Sequence, residues 1–272
     1  MIGIAAALAA ARQTIAAAEA RLLLGHLLAR PPAWLAAHGD ETLDETQELA
    51  FTALVARRAA GEPIAYLTGR REFYGRDFAV TPATLIPRPE TELLVERGIA
   101  RAAGLAQPCI LDLGAGSGCV AVALALEIPE ARVTAVDLSA AALAVARQNG
   151  ERLGARVRWL EGDWFSPVAG ERFDLVVGNP PYVAAGDPHL AAGDLRFEPA
   201  GALASGGDGL DAIRVILAAA PSHLQPGGWL LLEHGYDQGL AVAELLAAAG
   251  FTDIEQQRDL AGIPRLSGGR RP

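Results

Sequence analysis

Apolar residues recur at three- and four-residue spacing from Ile2 to Arg30, with Arg12, Gln13, Glu19 and Arg21 as polar interruptions. That period predicts one helical run, because residues three and four apart share a helix face. Pro31-Pro32 ends it, since the second ring disfavours a helical residue before it and donates no hydrogen bond. A second helix is predicted from about Leu43 to Ala60, stopped at Gly61-Glu62-Pro63. Together these segments predict a small helical domain over residues 1–75. The texture then shortens: Glu72-Phe73-Tyr74 and Asp77-Phe78-Ala79-Val80 flank Gly75 and read as a hairpin. A linker over 76–92 ends in Leu85-Ile86-Pro87-Arg88-Pro89-Glu90-Thr91-Glu92, and a helix follows to about Ala103.

After Pro108 the period switches repeatedly between the two kinds. Cys109–Leu113 is a continuous apolar run, as expected of a strand buried on both faces. Val120–Leu126 reads as helix, Arg132–Val136 as strand, Ala140–Arg152 as helix, and Val157–Leu160 and Phe173–Val177 as strands. Leu210–Ala220, Trp229–Glu233 and Leu240–Ala249 continue the series, while Ala184–Asp208, rich in Gly, Ala, Asp and Pro, reads as a long loop. Strands alternating with helices in this way predict an α/β domain over 93–272 with a doubly wound, mostly parallel sheet. Ligands of such sheets bind at the carboxyl ends of the strands. Arg265, Arg270 and Arg271 fall in a Gly- and Pro-containing stretch that reads as a solvated, frayed end.

Composition narrows the chemistry. All 23 basic residues are arginine, so a Schiff base, a catalytic lysine and a P-loop lysine are excluded. A net charge of −9 argues against non-specific nucleic-acid binding, which needs excess basic charge. Cys109 and Cys119 lack C-x-x-C spacing and read as small buried hydrophobes. No signal peptide or membrane-length apolar run is visible, which predicts a cytoplasmic protein with no membrane association. His26, His38, His189 and His223 show no metal-ligand spacing, and no metal is expected.

Two motifs carry chemistry. The first is Leu111-Asp112-Leu113-Gly114-Ala115-Gly116-Ser117-Gly118 at a strand-to-helix junction, where glycines let the backbone turn sharply and approach a ligand. A dinucleotide fingerprint needs its third glycine at position 119, which is Cys119, so the pyrophosphate reading is weakened. Asp137 ends the next strand, where a carboxylate can accept from both ribose hydroxyls. The pair fits a nucleoside without a pyrophosphate.

The second motif is Asn179-Pro180-Pro181-Tyr182, directly after the strand at Phe173. Two prolines remove two backbone donors and fix φ, so nearby carbonyls can project into a site. The Asn179 amide oxygen and the Pro180 carbonyl are two adjacent acceptors, which suit an –NH₂ group. Tyr182 can stack on a planar amide or base. The tetrapeptide alone does not choose between a nucleobase and a glutamine side chain.

The glycine loop, the acid at Asp137 and Gly162-Asp163-Trp164 after the third strand resemble class I S-adenosylmethionine-dependent methyltransferases. That resemblance implies a seven-stranded methyltransferase sheet with S-adenosyl-L-methionine as cofactor. It places Gly114, Ala115, Gly116, Ser117 and Gly118 at the methionine end, Asp137 at the ribose, and Asp163 and Trp164 beside adenine, and it also counts Asn179 among the cofactor contacts. Asn179-Pro180-Pro181-Tyr182 resembles the signature of methyltransferases that act on planar nitrogens, among them N6-adenine DNA enzymes and protein-glutamine N5 enzymes. Gly61–Gly69, Phe73-Tyr74-Gly75, Leu85–Glu92, Leu195–Pro199, Gly206–Leu210 and Leu231–Gly235 resemble the PrmC/HemK family over nearly the whole chain. The resemblance implies methylation of the Gly-Gly-Gln glutamine of class I peptide-chain release factors. It also implies a helical recognition domain, catalysis by Asn179, Pro180 and Tyr182, and substrate contact by all four residues of the tetrapeptide. His234 departs from the aliphatic residue usual there and reads as a peripheral change. The expected partner is a release factor, with no direct nucleic acid and a monomeric state. The alternatives are an N6-adenine DNA or RNA methyltransferase and a methyltransferase-like binding protein without catalysis. Arg88 reads either as a hinge ion pair or as a contact near the methionine carboxylate. Glu90, Glu92 and Glu233 are possible general bases without further support.

Overall fold

The computed structural model describes residues 2–272, which fall into two compact units, one running to Arg70 and one from Arg71 to Pro272. The first therefore closes ahead of the expected boundary at 75. It contains five helices: α1 (Ile4–Ala11), α2 (Ala17–Leu28), α3 (Pro32–Ala37), α4 (Glu45–Ala59) and α5 (Ile64–Thr68). The single run expected over Ile2–Arg30 is broken between α1 and α2. There the Thr14 hydroxyl donates to the Ala11 carbonyl, and the Glu19 carboxylate accepts from the Ala16 N–H to start α2 afresh. Pro31-Pro32 does end α2, but Pro32 also opens α3 at its first position, where a missing N–H costs nothing. Asp44 and Gln47 form a reciprocal capping box that starts α4. Ile4, Leu23, Leu24, Leu35, Leu43 and Phe51 make this unit's own core.

The second unit opens with a hairpin of β1 (Arg70–Phe73) and β2 (Arg76–Ala79), whose turn residues Tyr74 and Gly75 both have positive φ. After α6 (Glu92–Ala102) the alternation begins: β3 (Cys109–Leu113), α7 (Cys119–Glu127), β4 (Arg132–Asp137), α8 (Ala140–Leu153), β5 (Val157–Glu161) and β6 (Phe173–Gly178). Then come α9 (Asp211–His223), which continues past Pro221, β7 (Leu224–Glu233), α10 (Gly239–Ala248), β8 (Thr252–Arg258) and β9 (Pro264–Arg270). The sheet has seven strands in the order β5-β4-β3-β6-β7-β9-β8, with β9 antiparallel to both β7 and β8 and the other pairs parallel.

Period-two alternation feeds two cores. Ile110, Leu175, Val177 and Leu231 face α6 and α7, while Leu111, Val176, Leu230 and Leu232 face α9 and α10. In place of the expected frayed end, Arg265 and Arg270 lie in β9, inside the sheet, and Arg271 just beyond it donates its N–H to the Gly228 carbonyl. In β9, Gly268 and Gly269 leave no room for side chains: a Cβ there would stand 2.5 Å from Leu231 and 2.8 Å from Phe251. The Ala184–Asp208 loop is ordered by short 3₁₀ turns at Pro188–Ala191, Leu195–Phe197 and Ala200–Ala202. No helix among the described residues is long and apolar enough to cross a membrane.

Candidate active site

β3 and β6 are neighbours, with Leu113 opposite Gly178, although β4 and β5 lie between them in sequence. The chain leaves this pair in opposite directions, which opens a crevice at their carboxyl ends. The glycine loop follows β3 and the Asn-Pro-Pro-Tyr segment follows β6, so topology alone brings the two motifs together. Gly114, Gly116 and Gly118 have φ of 77°, 55° and 80°, a conformation costly for side chains with a Cβ. The N–H groups of Gly114 and Ala115 both donate to the Val136 carbonyl, and that of Gly116 donates to Asp137 Oδ2 at 2.7 Å. Asp137 Oδ1 accepts from the Ser139 N–H at 2.8 Å. Each oxygen retains a further lone pair, so the carboxylate is held in place and can still accept from a ligand. Asn149, fully buried on α8, donates to the Ser117 and Ala79 carbonyls and accepts from the Ala79 N–H, tying the loop to β2.

A cavity of about 460 Å³ lies over this crevice. Gly114, Ala115, Gly116, Ser117 and Asp137 line one side; Asp163, Trp164, Asn179 and Pro181 line another. Gly118, Pro180 and Tyr182 do not line it. Gly118 serves packing, since a Cβ there would come within 2.8 Å of the Trp159 ring. Trp164 is the conspicuous wall residue: it holds φ at 44°, a strained setting for a bulky side chain, and its ring passes beside Gly114. Asp163 is exposed at the rim.

Beneath Asn179 lies a polar network that joins distant segments. Asn179 Nδ2 donates to the hydroxyl of buried Thr91 at 3.2 Å. Tyr182 Oη donates to Glu233 Oε1 at 3.2 Å, while Glu233 Oε2 is enclosed with no partner of its own. Burial pushes the Glu233 carboxyl up to about 7, against the neighbouring Thr91 and Tyr182 hydroxyls, which favour its ionised form. Burial likewise raises Asp112, under the glycine loop, to about 7, and raises the Tyr182 phenol above its ordinary range. Next to Glu233, His234 is completely buried, with its ring nitrogens against the Gly235 carbonyl and the Ser267 hydroxyl; it is a core residue and not peripheral.

These shifts set a pH dependence of stability. Between the ordinary 4.5 and about 7 the folded protein keeps the Glu233 proton that the unfolded chain has released. The folded state binds more protons across that window, so this residue's contribution falls as pH rises through it and levels out above. Asp112 acts in the same sense. His234, held below its ordinary value by burial, acts oppositely, its contribution being lost as pH falls below 6.5. Glu233→Gln is therefore expected to gain stability relative to the native protein between pH 5 and pH 8, by on the order of 1–3 kcal/mol. Urea unfolding at the two pH values checks this; a difference independent of pH contradicts it.

The wall opposite the glycine loop is built by the linker and the Leu195–Ala202 segment. Glu198, whose side chain is wholly buried, accepts from Arg88 at 2.5 Å and from the Ile86 N–H at 2.9 Å. Of the two readings of Arg88, the ion pair is thus present, and Arg88 also lines the cavity. Arg88→Ala leaves a buried carboxylate with one N–H partner and is expected to cost on the order of 2–4 kcal/mol, most of it recovered on adding Glu198→Gln. Chemical denaturation of the single and double variants tests this, and an unchanged midpoint in Arg88→Ala contradicts it.

Comparison with known proteins identifies the lineage. Residues 3–69 match the PrmC N-terminal domain and residues 90–210 the methyltransferase small domain. The chain is 56% identical over 263 residues to release factor glutamine methyltransferase of Burkholderia pseudomallei, covering 94% of this chain and 92% of that one. It is 52% identical to the Xylella fastidiosa (strain Temecula1) protein of the same name, covering 98% of each. This chain belongs to the release factor glutamine methyltransferase family. The first domain match falls inside the helical unit and the second begins in the 3₁₀ turn at Pro89–Thr91, just ahead of α6. A solved methyltransferase of Pyrococcus furiosus shares the fold, with a TM-score of 0.56 at 21% identity over 79% of this chain and 96% of that one. Sequence reasoning missed Thr91, Asp112, Glu198 and the buried setting of Glu233; only the Pro-Arg-Pro-Glu-Thr-Glu spelling of the linker hinted at the first.

Proposed function

We propose that this protein transfers a methyl group from S-adenosylmethionine to the side-chain amide nitrogen of the glutamine in the Gly-Gly-Gln motif of class I release factors. The observation that carries the reading is the juxtaposition of the Asp137–glycine loop and Asn179 in one cavity, in a chain of this family. The cavity fits the cofactor on three counts. Its volume of about 460 Å³ lies in the range of small-molecule sites. Asp137 offers free lone pairs to ribose hydroxyls, and the Trp164 ring offers an apolar face to adenine. A Cβ at Gly114 would stand 3.8 Å from the Asn179 carbonyl, so the bare glycine keeps the space between the motifs open.

When bound, S-adenosylmethionine supplies an electrophilic methyl on a sulfonium. The protein's task is then to position a poor nucleophile, since the amide lone pair is delocalised into its carbonyl. The Asn179 side-chain oxygen and the Pro180 carbonyl accept the two amide hydrogens, aim the nitrogen, and stabilise the positive charge that grows on it as the new N–C bond forms and the C–S bond breaks. One of the two hydrogens then leaves as a proton to solvent. Pro181 bounds the substrate end, with Tyr182 behind it, and Gly114–Ser117 with Asp163 hold the cofactor. The helical unit serves as the recognition platform for the release factor, in the cytoplasm where translation ends, and the enzyme works as a monomer without contacting nucleic acid.

The experiment gives purified protein labelled S-adenosylmethionine with either a release factor or adenine-containing DNA. Label in the release factor supports the reading; label in DNA, or in neither, overturns it.

A further inference from the structure

The stretches at 206–210 and 231–235 have no task in the mechanism so far. Both converge, through Gln238, on one atom of the Asn-Pro-Pro-Tyr segment, the Tyr182 carbonyl oxygen. Gln238 is half-buried and immediately precedes α10. Its Nε2 donates to the Tyr182 carbonyl at 2.9 Å and to the Asp208 carbonyl at 3.2 Å, and its Oε1 accepts from the Gly235 N–H at 2.8 Å. All of these partners are backbone groups of fixed polarity, so the carboxamide has one orientation and both of its hydrogens are used. Gly209 closes on the same point. It holds φ at 79°, and a Cβ there would stand 2.2 Å from the Tyr182 oxygen and 2.7 Å from Gln238 Nε2.

The segment needs a hold from outside. Pro180 and Pro181 have no N–H to donate, so its middle cannot be pinned through donors of its own. Upstream, Gly178 is fixed in β6, opposite Leu113 on one side and Leu232 on the other. Downstream, the Val183 N–H donates to the Leu203 carbonyl, and the Val183 carbonyl accepts from the Ser205 N–H. Tyr182 joins the proline pair to that anchor, and it is held twice: at its carbonyl by Gln238 and at its phenol by Glu233 Oε1, 3.2 Å away.

We infer that Gln238 is a positioning residue: it fixes the far end of the Asn-Pro-Pro-Tyr loop and, through it, the place of the Pro180 carbonyl that receives the substrate amide. The inference rests on the reading of that carbonyl as a substrate acceptor. It gives the two stretches one shared task, since Asp208 and Gly209 form one half of the seat around Gln238 and Gly235 forms the other. Gln238 does not line the cavity, so its effect reaches the substrate only through the loop.

The test uses release factor methylation by Gln238→Glu and Gln238→Met, with cofactor affinity and the unfolding midpoint measured alongside. Ionised glutamate keeps the shape and still accepts from the Gly235 N–H, but it has no hydrogen for the two carbonyls. Methionine keeps the length and loses every one of these bonds. Both variants are expected to lower kcat roughly tenfold to hundredfold, with the Kd for S-adenosylmethionine and the KM for release factor within about threefold. A role confined to the turn that starts α10 predicts a split instead, with glutamate near native and methionine impaired, because a carboxylate at a helix N-terminus keeps the Gly235 bond and favours the helix. That split overturns the inference, and so does a loss of rate that disappears once it is corrected for the folded fraction. A native enzyme that methylates release factor while Gln238→Glu does so equally well sinks this inference alone; a native enzyme that fails to do so sinks the function and this inference with it.

Discussion

Asn179→Ala is expected to lower kcat for release factor methylation by about a thousandfold, the scale set by removing one preorganised acceptor from a charge-developing site. The same variant should bind S-adenosylmethionine within a few-fold of the native protein. The asymmetry follows from geometry. Asn179 meets the cofactor region through its backbone carbonyl, 3.8 Å from where a Gly114 Cβ would stand, and alanine keeps that carbonyl. What is lost is the side-chain oxygen and the amide's bond to Thr91. Single-turnover methylation and equilibrium dialysis with labelled cofactor separate the two quantities. Near-normal turnover in Asn179→Ala contradicts the two-acceptor mechanism. A large loss of cofactor binding with normal turnover at saturation reassigns Asn179 to the cofactor.

The converse variant is Asp137→Ala, expected to weaken S-adenosylmethionine binding by roughly a hundredfold or more. Two charge-assisted hydrogen bonds to ribose are lost, each worth about 1.5–3 kcal/mol. The carboxylate also anchors the N–H groups of Gly116 and Ser139, at 2.7 Å and 2.8 Å, so its removal loosens the loop that must cradle the ligand. Asp137→Asn keeps one acceptor oxygen and should lose less than alanine. Titration calorimetry gives both values. Binding within threefold of the native protein in Asp137→Ala would place the ribose elsewhere.

The two variants divide the site as the sequence does. The glycine loop, Asp137, Asp163-Trp164 and Asn179–Tyr182 are each contiguous, each at the end of a strand, and each built of residues whose chemistry is spelled by their type. The doubly wound sheet was legible for a similar reason: Cys109–Leu113 and the next three strands are apolar runs at regular spacing, with ends within a residue of those expected. By contrast, β7 begins five residues earlier than expected, at Leu224, and the more polar β8 gave no strand signal. What was not legible depends on contact between distant segments. Thr91 meets Asn179 across 88 positions and Arg88 meets Glu198 across 110, and no local pattern announces either pair. β9 was hidden by composition. Its Gly268 and Gly269 read as a tail, yet they are glycines because Leu231 and Phe251 occupy the space of their side chains. The break between α1 and α2 was hidden by periodicity, which runs on through Arg12–Ala16 while Thr14 and Glu19 cap two separate helices. His234 misled through its polarity: its two ring nitrogens find partners inside the core, so a polar residue is buried at no great cost.

The measurement closest to the central claim is the position of the methyl group. Release factor is incubated with the enzyme and S-adenosylmethionine, digested, and the Gly-Gly-Gln peptide fragmented in a mass spectrometer. The account predicts one added methyl on the glutamine side chain, absent when Asn179→Ala replaces the native enzyme. A methyl on any other residue, or a Gly-Gly-Gln peptide left unmodified by the native enzyme, would contradict it.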